Sequence, residues 1–415
     1  MSTNIYPIYN SNYKFRADTI WIDWKIKKNG EFEKKQIAFI CLQNKDNHFE
    51  IVHPITDFIF FNWRYASYNT QRKHALNLSS FLNFIIDNRN KFKLKSLRDL
   101  EITHGEKFLN SLTEDGKARQ TVKDIERTLT LFYYYLSKKE CLPLVTSTTF
   151  ESYYNENGKK IHISPFKNVI LPSLSSNEME HTFPIEHLPL FFEIACLTAK
   201  PIVLGLYFQI FGGLRVGEVV NIKRSSIKHT VNGESLLINL KENMFRTDLK
   251  DINGANYVKK ERKQSVMILQ NWFYQLYDDH LELYTCEDGT SALFVNRDGK
   301  AMTSKSYRQY FDKVKKYFIY CLKNSNNIND KLLAHHLRIS KWSTHIGRGI
   351  FSNMLAEYAK NPYEIAVPRG DSSLLSSLRY LKGTSRFRKK LEERLNHMHG
   401  FYIPRLIESK NEKRN

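Results

Sequence analysis

Apolar and polar residues alternate near the start of the chain, as they do in a half-buried β-strand. Two such runs, residues 20–28 and 34–43, flank the turn-forming pair Asn29-Gly30. Runs of β-forming residues on either side of Asn-Gly predict a hairpin. We therefore expect residues 1–62 to form a small β-rich segment, either as a separate appendage or as an edge sheet on the next domain.

From residue 63 the apolar spacing changes to three and four, which predicts helices. Ala75, Leu78, Leu82 and Ile85 fall on one face of the first helix. Thr103 and Glu106 have the spacing of a capping box and predict the start of a second. A third helix, beginning at Thr121, has a longer apolar stripe. Its members are Val122, Ile125, Leu129, Phe132 and Leu136.

Composition shifts divide the rest of the chain. Residues 63–162 form the helical domain, and 163–184 are a linker because they are rich in proline, serine and asparagine without periodicity. Residues 185–390 form a second, larger domain that opens with an apolar helix. Residues 391–415 are a basic, partly helical tail, and a disordered tail is the competing interpretation.

The charge changes the picture most. The 415 residues include 63 Lys and Arg against 43 Asp and Glu, a formal net charge of +20. Such a surplus favours a polyanionic partner, since neutralising phosphates releases condensed counterions. The basic residues are spread along the whole chain, which disfavours a membrane surface. No apolar stretch is long enough to span a bilayer, and five scattered cysteines suggest neither disulfides nor zinc. We expect a cytoplasmic protein.

The third predicted helix has a basic side. Lys123 and Arg127 lie opposite the apolar stripe, and Lys117 and Arg119 precede it. A basic face on a helical bundle is one way to hold a DNA backbone. A solvated helix face explains the same pattern, and taken alone the pattern favours that explanation.

Three short motifs carry candidate chemistry. Phe211–Ile222 (FGGLRVGEVVNI) places Arg215 after Gly212-Gly213, where a helix would stop and restart at Glu218. In STHIGRGIFSNML, His345 and Arg348 are three apart, so both can face one phosphate. In RGDSSLLSSLRYLKG, Tyr380 follows Asp371 by nine residues.

Taken together, GLRVGE, HIGR with its following apolar pattern, and GDSSLLSSLRY resemble the tyrosine recombinase family. The order agrees, and Arg348 precedes Tyr380 by 32 residues, a usual spacing in that family. The resemblance covers residues 185–390 as the catalytic domain, and the helical domain is similar to the family's core-binding domain. It implies a mainly α fold with small β-sheets, in which a helical core-binding domain is joined to a mixed α/β catalytic domain.

A second H-x-x-R stands ten residues earlier, at His335 and Arg338. It places Arg338 42 residues before Tyr380 and lacks the apolar residues that follow Arg348. We therefore assign His345 and Arg348 to the motif. His335, His336 and Arg338 are then backbone contacts or plain surface.

The resemblance also implies a catalytic lysine on a β-hairpin between the two arginines. Residues 235–241 and 263–269 predict the two strands. Lys259, just before the second strand, is our choice, and Lys260 and Lys241 stay open.

Two positions depart from the family's pattern. Asp371 stands where His or Trp is common, and an ionised Asp cannot donate a hydrogen bond. It would position Tyr380 or a neighbouring arginine. Gly349 stands where a second His often follows. Both departures motivate a rival interpretation, a recombinase-like regulator that binds DNA without cutting it.

The resemblance implies cleavage and rejoining of DNA by Tyr380 through a 3′-phosphotyrosyl link, with no metal or other cofactor and no ATP. Arg215 and Arg348 would grip the phosphate, Lys259 would protonate the leaving oxygen, His345 would assist Tyr380, and Glu218 would orient Arg215. The partners would be double-stranded DNA, three further copies of the chain in a tetramer, and accessory DNA-bending or helper proteins. A mobile genetic element is the expected setting, and a topoisomerase with the same chemistry is a second rival.

Overall fold

The computed structural model describes residues 12–26, 30–156, 158, 160–173, 183–230, 235–340, 342–371 and 374. It divides the chain into two compact units. The first unit is Met1–Glu178 with Leu249–Gly254, and the second is Met179–Asp248 with Ala255–Asn415. Helices dominate both units and all the described sheets are small and antiparallel, as the mainly α fold class predicted.

A three-stranded sheet opens the first unit. Its strands are β1 (Tyr13–Ile26), β2 (Phe32–Asn44) and β3 (Glu50–Val52), in the order β1-β2-β3. The predicted hairpin is present, and its register pairs Tyr13 with Asn44 and Ile26 with Phe32. Phe15 and Ile40 are among its buried residues, so the sheet contributes to the core of this unit.

The described part of this unit also contains the α-helices α1 (Thr56–Trp63), α2 (Tyr68–Asp87), α3 (Ile102–Glu114) and α4 (Arg119–Lys138). The short strands β4 (Ser152–Tyr154) and β5 (Lys160–His162) follow. The predicted apolar stripes of α2 and α4 are buried. Helix α1 begins inside the segment predicted to be β-rich. The two boundaries predicted after residues 62 and 162 both fall inside the first unit.

The predicted capping box of α3 is wrong. The helix begins one residue earlier than Thr103, and the Glu101 N–H donates to Nδ1 of His104 at 3.0 Å. Glu106 instead turns inward, where it is 7% exposed and accepts from the backbone and side-chain N–H groups of Asn168 at 3.0–3.2 Å. A buried carboxylate needs donors, and the loop at Asn168, 62 residues away, supplies them only after folding.

The second unit contains helices α5 (Leu188–Thr198), α6 (Val203–Gly212) and α7 (Val216–Val219), then strands β6 (Ile227–His229), β7 (Ser235–Leu240) and β8 (Arg262–Met267). It continues with α8 (Gln270–Leu283), α9 (Ser304–Lys323), α10 (Ile328–Ile339), α11 (His345–Tyr358) and α12 (Tyr363–Arg369). The sheet order is β6-β7-β8, and β7 pairs antiparallel with β8 as predicted.

Helix α6 lies at the centre of the second unit's core. Each of its ten residues is buried, which agrees with its unbroken apolar sequence. Its neighbours include α11, β8 and α8. The motif residues Arg215 and Arg348 flank this core, one just after α6 and the other on α11. None of the described helices is long and apolar enough to cross a membrane.

Six residues of the long connection between β7 and β8 belong to the first unit and not to the second. Leu249–Gly254 belongs to the first unit, where the Leu249 carbonyl accepts from the indole N–H of Trp21 at 2.9 Å. The Ile252 carbonyl accepts from Nε of Arg72 at 2.5 Å, and the Gly254 carbonyl accepts from the amide of Asn69 at 2.9 Å. The excursion is therefore held mainly through its backbone carbonyls.

Candidate active site

Arg215 is positioned by a sharp turn after α6. The helix ends at Gly213, which has φ +66°, a conformation that glycine adopts without steric cost. A Cβ on Gly213 would lie 2.3 Å from Phe351 of α11. Arg215 then takes the N-cap position of α7. The double glycine thus stops the helix and lets α11 approach the turn.

Glu218 lies beneath Arg215 and its side chain is fully buried. Its carboxylate accepts from the Arg215 backbone N–H at 2.8 Å and from Arg215 Nη1 at 3.1 Å. It also accepts two bonds from Arg262, at 2.6 and 3.1 Å. Burial alone raises the pKa of Glu218, but the hydrogen bonds and charges of Arg262 and Arg215 outweigh burial and lower that pKa below its usual range. Glu218 is therefore an ionised carboxylate in the interior.

Arg348 enters the site from the first turn of α11 and its side chain is only 5% exposed. Nη1 donates to the Gly213 carbonyl at 2.5 Å, and Nη2 donates to the Arg369 carbonyl at 3.0 Å. Burial, and then the charges of Arg215 and Arg369, lower the pKa of Arg348 to about 10. It remains charged at neutral pH, so it brings a fixed positive charge under the turn that bears Arg215.

Asp371 connects the arginines. Its Oδ1 lies 2.6 Å from Nη2 of Arg348 and 3.6 Å from Nη2 of Arg215, while Oδ2 lies 3.3 Å from Nε of Arg369. The residue follows α12 directly, after Gly370 at φ +64°. Two guanidinium groups from motifs far apart in sequence therefore converge on one carboxylate oxygen.

The described part of this cluster holds an excess of positive charge. Four guanidinium groups, those of Arg215, Arg262, Arg348 and Arg369, face the two carboxylates of Glu218 and Asp371. Arginine presents a planar and permanently charged fork suited to phosphate. An excess of positive charge in a poorly hydrated setting stabilises an incoming anion far more than it would in water.

Sequence reasoning missed Arg262 and Arg369. A glutamate inside the apolar run VGEVVNI requires a cation, because a buried charge without a partner is very costly. That signal predicts a further basic residue without naming it. Arg262 is 44 residues away and Arg369 is 151 residues away, and only the pairing of β7 with β8 and the packing of α12 bring them in.

The lysines lie at the edge of the same sheet. Lys259 and Lys260 are exposed just before β8, and Lys241 is exposed just after β7. The Lys260 carbonyl accepts from Arg262 Nη1 at 3.3 Å. The hairpin is present as predicted, and the choice of Lys259 stays a prediction.

The other motif residues are placed differently. His345 begins α11 and is exposed, one helical turn before buried Arg348. Tyr380 lies outside the described residues. His335, His336 and Arg338 are exposed on α10, whereas Arg348 joins the cluster with Arg215. The structure thus brings together Arg215, Glu218, Arg348 and Asp371.

The basic residues predicted to hold DNA lie on the first unit. Lys117, Lys123 and Arg127 are exposed at or before α4. Arg119 is half-buried and donates to the Pro172 carbonyl at 2.9 Å. Lys117, Lys123 and Arg127 are therefore solvent-accessible, and Arg119 is committed to a contact within its own unit.

Neither a protein-family profile nor a curated protein sequence matches the chain. Solved structures do match. One is the XerH site-specific recombinase bound to palindromic difH substrate, with 20% identity over 80% of this chain and 81% of that one and a TM-score of 0.50. Another is the Tn1549 transposon integrase in complex with circular intermediate DNA, with 13% identity over 81% and 98% and a TM-score of 0.51.

The chain has the tyrosine recombinase fold. At such low identity the likeness establishes the fold, and the chemistry must be argued from the residues themselves. In this recombinase fold Arg215 lies at the start of α7, Arg348 lies on α11 and Asp371, from the described part of the third motif, lies just after α12, all within the second unit.

Proposed function

We propose that this protein is a site-specific DNA recombinase or integrase of a mobile genetic element, which cuts and rejoins strands through a 3′-phosphotyrosyl intermediate at Tyr380. The observation that carries the proposal is the convergence of Arg215 and Arg348 on one oxygen of Asp371, at 3.6 and 2.6 Å. An oxygen held between two guanidinium groups marks the place where an oxyanion is stabilised.

In the proposed reaction, Tyr380 Oη attacks the phosphorus and the bond from phosphorus to the 5′ oxygen breaks. The DNA then carries a 3′-phosphotyrosyl link and a free 5′-hydroxyl. Lys259 gives the 5′ oxygen its proton, and His345 assists removal of the proton from Tyr380, whose ordinary pKa of about 10 makes it a weak nucleophile at neutral pH. Rejoining is the reverse transfer, so no external energy source is required.

Asp371 has a definite place in this proposal. Its carboxylate occupies the anion position between the two arginines while DNA is absent. A DNA phosphate then competes with the carboxylate for that position. Arg215 meets the phosphate first, because its side chain is 25% exposed against 5% for Arg348. Asp371 thus keeps the guanidinium groups together until DNA arrives.

The basic surface on α4 would bind the DNA backbone through Lys117, Lys123 and Arg127. These side chains are exposed, and the net charge of +20 favours a polyanion. We further propose that four copies act together on two DNA sites, one tyrosine per strand, with monomers or dimers when DNA is absent and with accessory DNA-bending or helper proteins. We propose that the protein acts in the cytoplasm, at the nucleoid.

The test is covalent trapping. Wild type and Tyr380→Phe are incubated with nicked suicide duplexes made from the DNA flanking the gene, with EDTA present. A protein–DNA adduct resistant to SDS in the wild type and absent in Tyr380→Phe is the expected result, because phenylalanine lacks the attacking oxygen.

Two outcomes contradict the proposal. Sequence-specific binding without an adduct in either protein, across tiled flanking DNA, would favour a catalytically impaired regulator. Relaxation of any supercoiled plasmid, independent of sequence, would favour a topoisomerase.

A further inference from the structure

Arg262, the first residue of β8, makes a two-pronged ion pair with the buried carboxylate of Glu218. Nη1 lies 2.6 Å from Oε1 of Glu218, and Nη2 lies 3.1 Å from Oε2. Nε donates to Oε1 of Gln264 at 2.9 Å. The Arg262 side chain is 9% exposed and that of Glu218 is fully buried. Two parallel bonds fix the direction of a carboxylate as well as its position.

The same carboxylate also holds Arg215. It accepts from the Arg215 backbone N–H at 2.8 Å and from Nη1 at 3.1 Å. Arg215 Nη2 faces the Asp371 carboxylate. A continuous chain of charged hydrogen bonds therefore runs from Arg262 through Glu218 to Arg215, which is the more exposed of the two arginines proposed to grip the phosphate.

Close packing leaves the Arg262 guanidinium little room to move. A Cβ on Gly370 would lie 2.3 Å from its Nε. On the same strand, the Gln264 amide donates to the Pro368 carbonyl at 2.5 Å. Strand β8 is thus fastened to the end of α12, immediately before Asp371.

We propose that Arg262 is a positioning residue, which fixes the Glu218 carboxylate so that Arg215 is presented to the scissile phosphate. The proposal rests on the proposed function. Arg262 also donates to the Lys260 carbonyl, but that is a single bond of 3.3 Å. The two-pronged contact with Glu218 is the stronger, so the effect of Arg262 runs through Arg215 rather than through the lysines.

The experiment uses the full-length protein and the nicked duplex in which trapping has located the cleavage site. Wild type, Arg262→Gln and Arg262→Lys are compared in single-turnover cleavage, and DNA affinity is measured with Tyr380→Phe in the background. Arg297→Gln is the matched control, since the Arg297 side chain is 88% exposed in the same unit. Arg262→Lys keeps the charge and loses the two-pronged geometry.

We expect Arg262→Gln to slow cleavage by about 100-fold, the size typical of a misplaced reacting group, and to change affinity by less than about threefold. The cleavage rate of Arg262→Lys should fall between those of Arg262→Gln and the wild type. Adding Arg262→Gln to Glu218→Gln slows cleavage by less than about threefold more, because both act through one contact.

Altered substrates separate positioning from general damage. A methylphosphonate at the cleavage site is neutral and therefore needs Arg215 less. On this substrate the difference in cleavage rate between wild type and Arg262→Gln should shrink to about tenfold or less. In a 5′-phosphorothiolate substrate, sulfur replaces the 5′ bridging oxygen and the leaving thiolate needs no proton. On this substrate the difference in cleavage rate should persist.

The proposal is overturned if Arg262→Gln cleaves like the wild type, or if the difference in cleavage rate survives on the methylphosphonate. It is equally overturned if the phosphorothiolate substrate removes that difference, because Arg262 would then act through a lysine. Should Arg262→Gln not fold, the same comparison is made with Arg262→Lys. Absence of any adduct in the wild type would instead be a failure of the proposed function.

Discussion

Each unit buries a glutamate, but the two carboxylates have different hydrogen-bonding partners. Glu218 in the second unit is fully buried and bonded to two guanidinium groups. Glu106 in the first unit is 7% exposed and bonded to the neutral N–H groups of Asn168. Ion pairs among the described residues of the first unit lie at the surface, as in Lys73–Asp124, whose side chains are 46% and 36% exposed.

The difference fits the function proposed for the second unit. Placing ions in an interior costs several kcal/mol per ion even when they are paired, so a scaffold gains little from it. A site that must bind an anion needs charge in a poorly hydrated setting. The first unit gives its buried glutamate neutral partners and keeps its ion pairs at the surface, whereas the second carries buried guanidinium groups beside a partly exposed one.

The largest effect is expected from Glu218→Gln. Removing this charge leaves Arg262 and Arg348 buried with one carboxylate fewer, and breaking a buried pair costs about 3–5 kcal/mol of unfolding free energy. Glu106→Gln, its counterpart in the first unit, should cost about 1–2 kcal/mol because its partners are neutral. Urea unfolding of both variants measures the two losses of unfolding free energy. Equal losses would mean that the ion pairs of Glu218 stabilise the fold no more than the neutral hydrogen bonds of Glu106.

For a single group, an intermediate effect is expected from acid. Burial lowers the pKa of His53 and His74 in the first unit, and of His280 in the second, to about 4. Since the unfolded value is near 6.5, their contribution to stability is complete above pH 6.5 and is lost as pH falls towards 4, by about 3 kcal/mol per histidine. The lowered pKa of Glu218 places its own loss below pH 4.5.

Unfolding at a series of pH values, followed by pulsed hydrogen exchange in each unit, tests this order. The first unit should lose more stability than the second between pH 6.5 and 4.5. His74→Gln should reduce the loss in the first unit, and His280→Gln only the loss in the second. The reverse pattern, or no difference between the units, would contradict the assignment of these buried histidines.

The smallest effect is expected from the surface pair. Lys73→Met removes the 2.8 Å contact with Asp124, and solvent screening limits the cost to about 0.5 kcal/mol or less. Salt should leave the small difference unmeasurable. A loss comparable to that of Glu218→Gln would show that surface charge matters to the first unit.

Local pattern was enough for most elements. The hairpin of β1 and β2 and the apolar stripes of α2 and α4 follow from residue spacing and turn chemistry, which act over a few residues. The strands β7 and β8 also follow from local pattern, whereas their pairing across a long connection was expected from the family resemblance. It was not enough for the start of α3, because Glu106 could serve either as a cap or as a buried acceptor. Contact with Asn168, 62 residues away, decided between them.

The candidate site divides in the same way. The sequence by itself determined that Arg215 follows a double glycine, that His345 and Arg348 share a helix and that Asp371 precedes Tyr380 by nine residues. Spacing to Tyr380 also favoured Arg348 over Arg338. Only the tertiary structure decided that Arg348 meets Arg215 at Asp371, and that Arg262 shares the carboxylate of Glu218. The physical reason is that a buried charge is stabilised by whichever opposite charge the packing brings within reach, and that distance is absent from the order of residues.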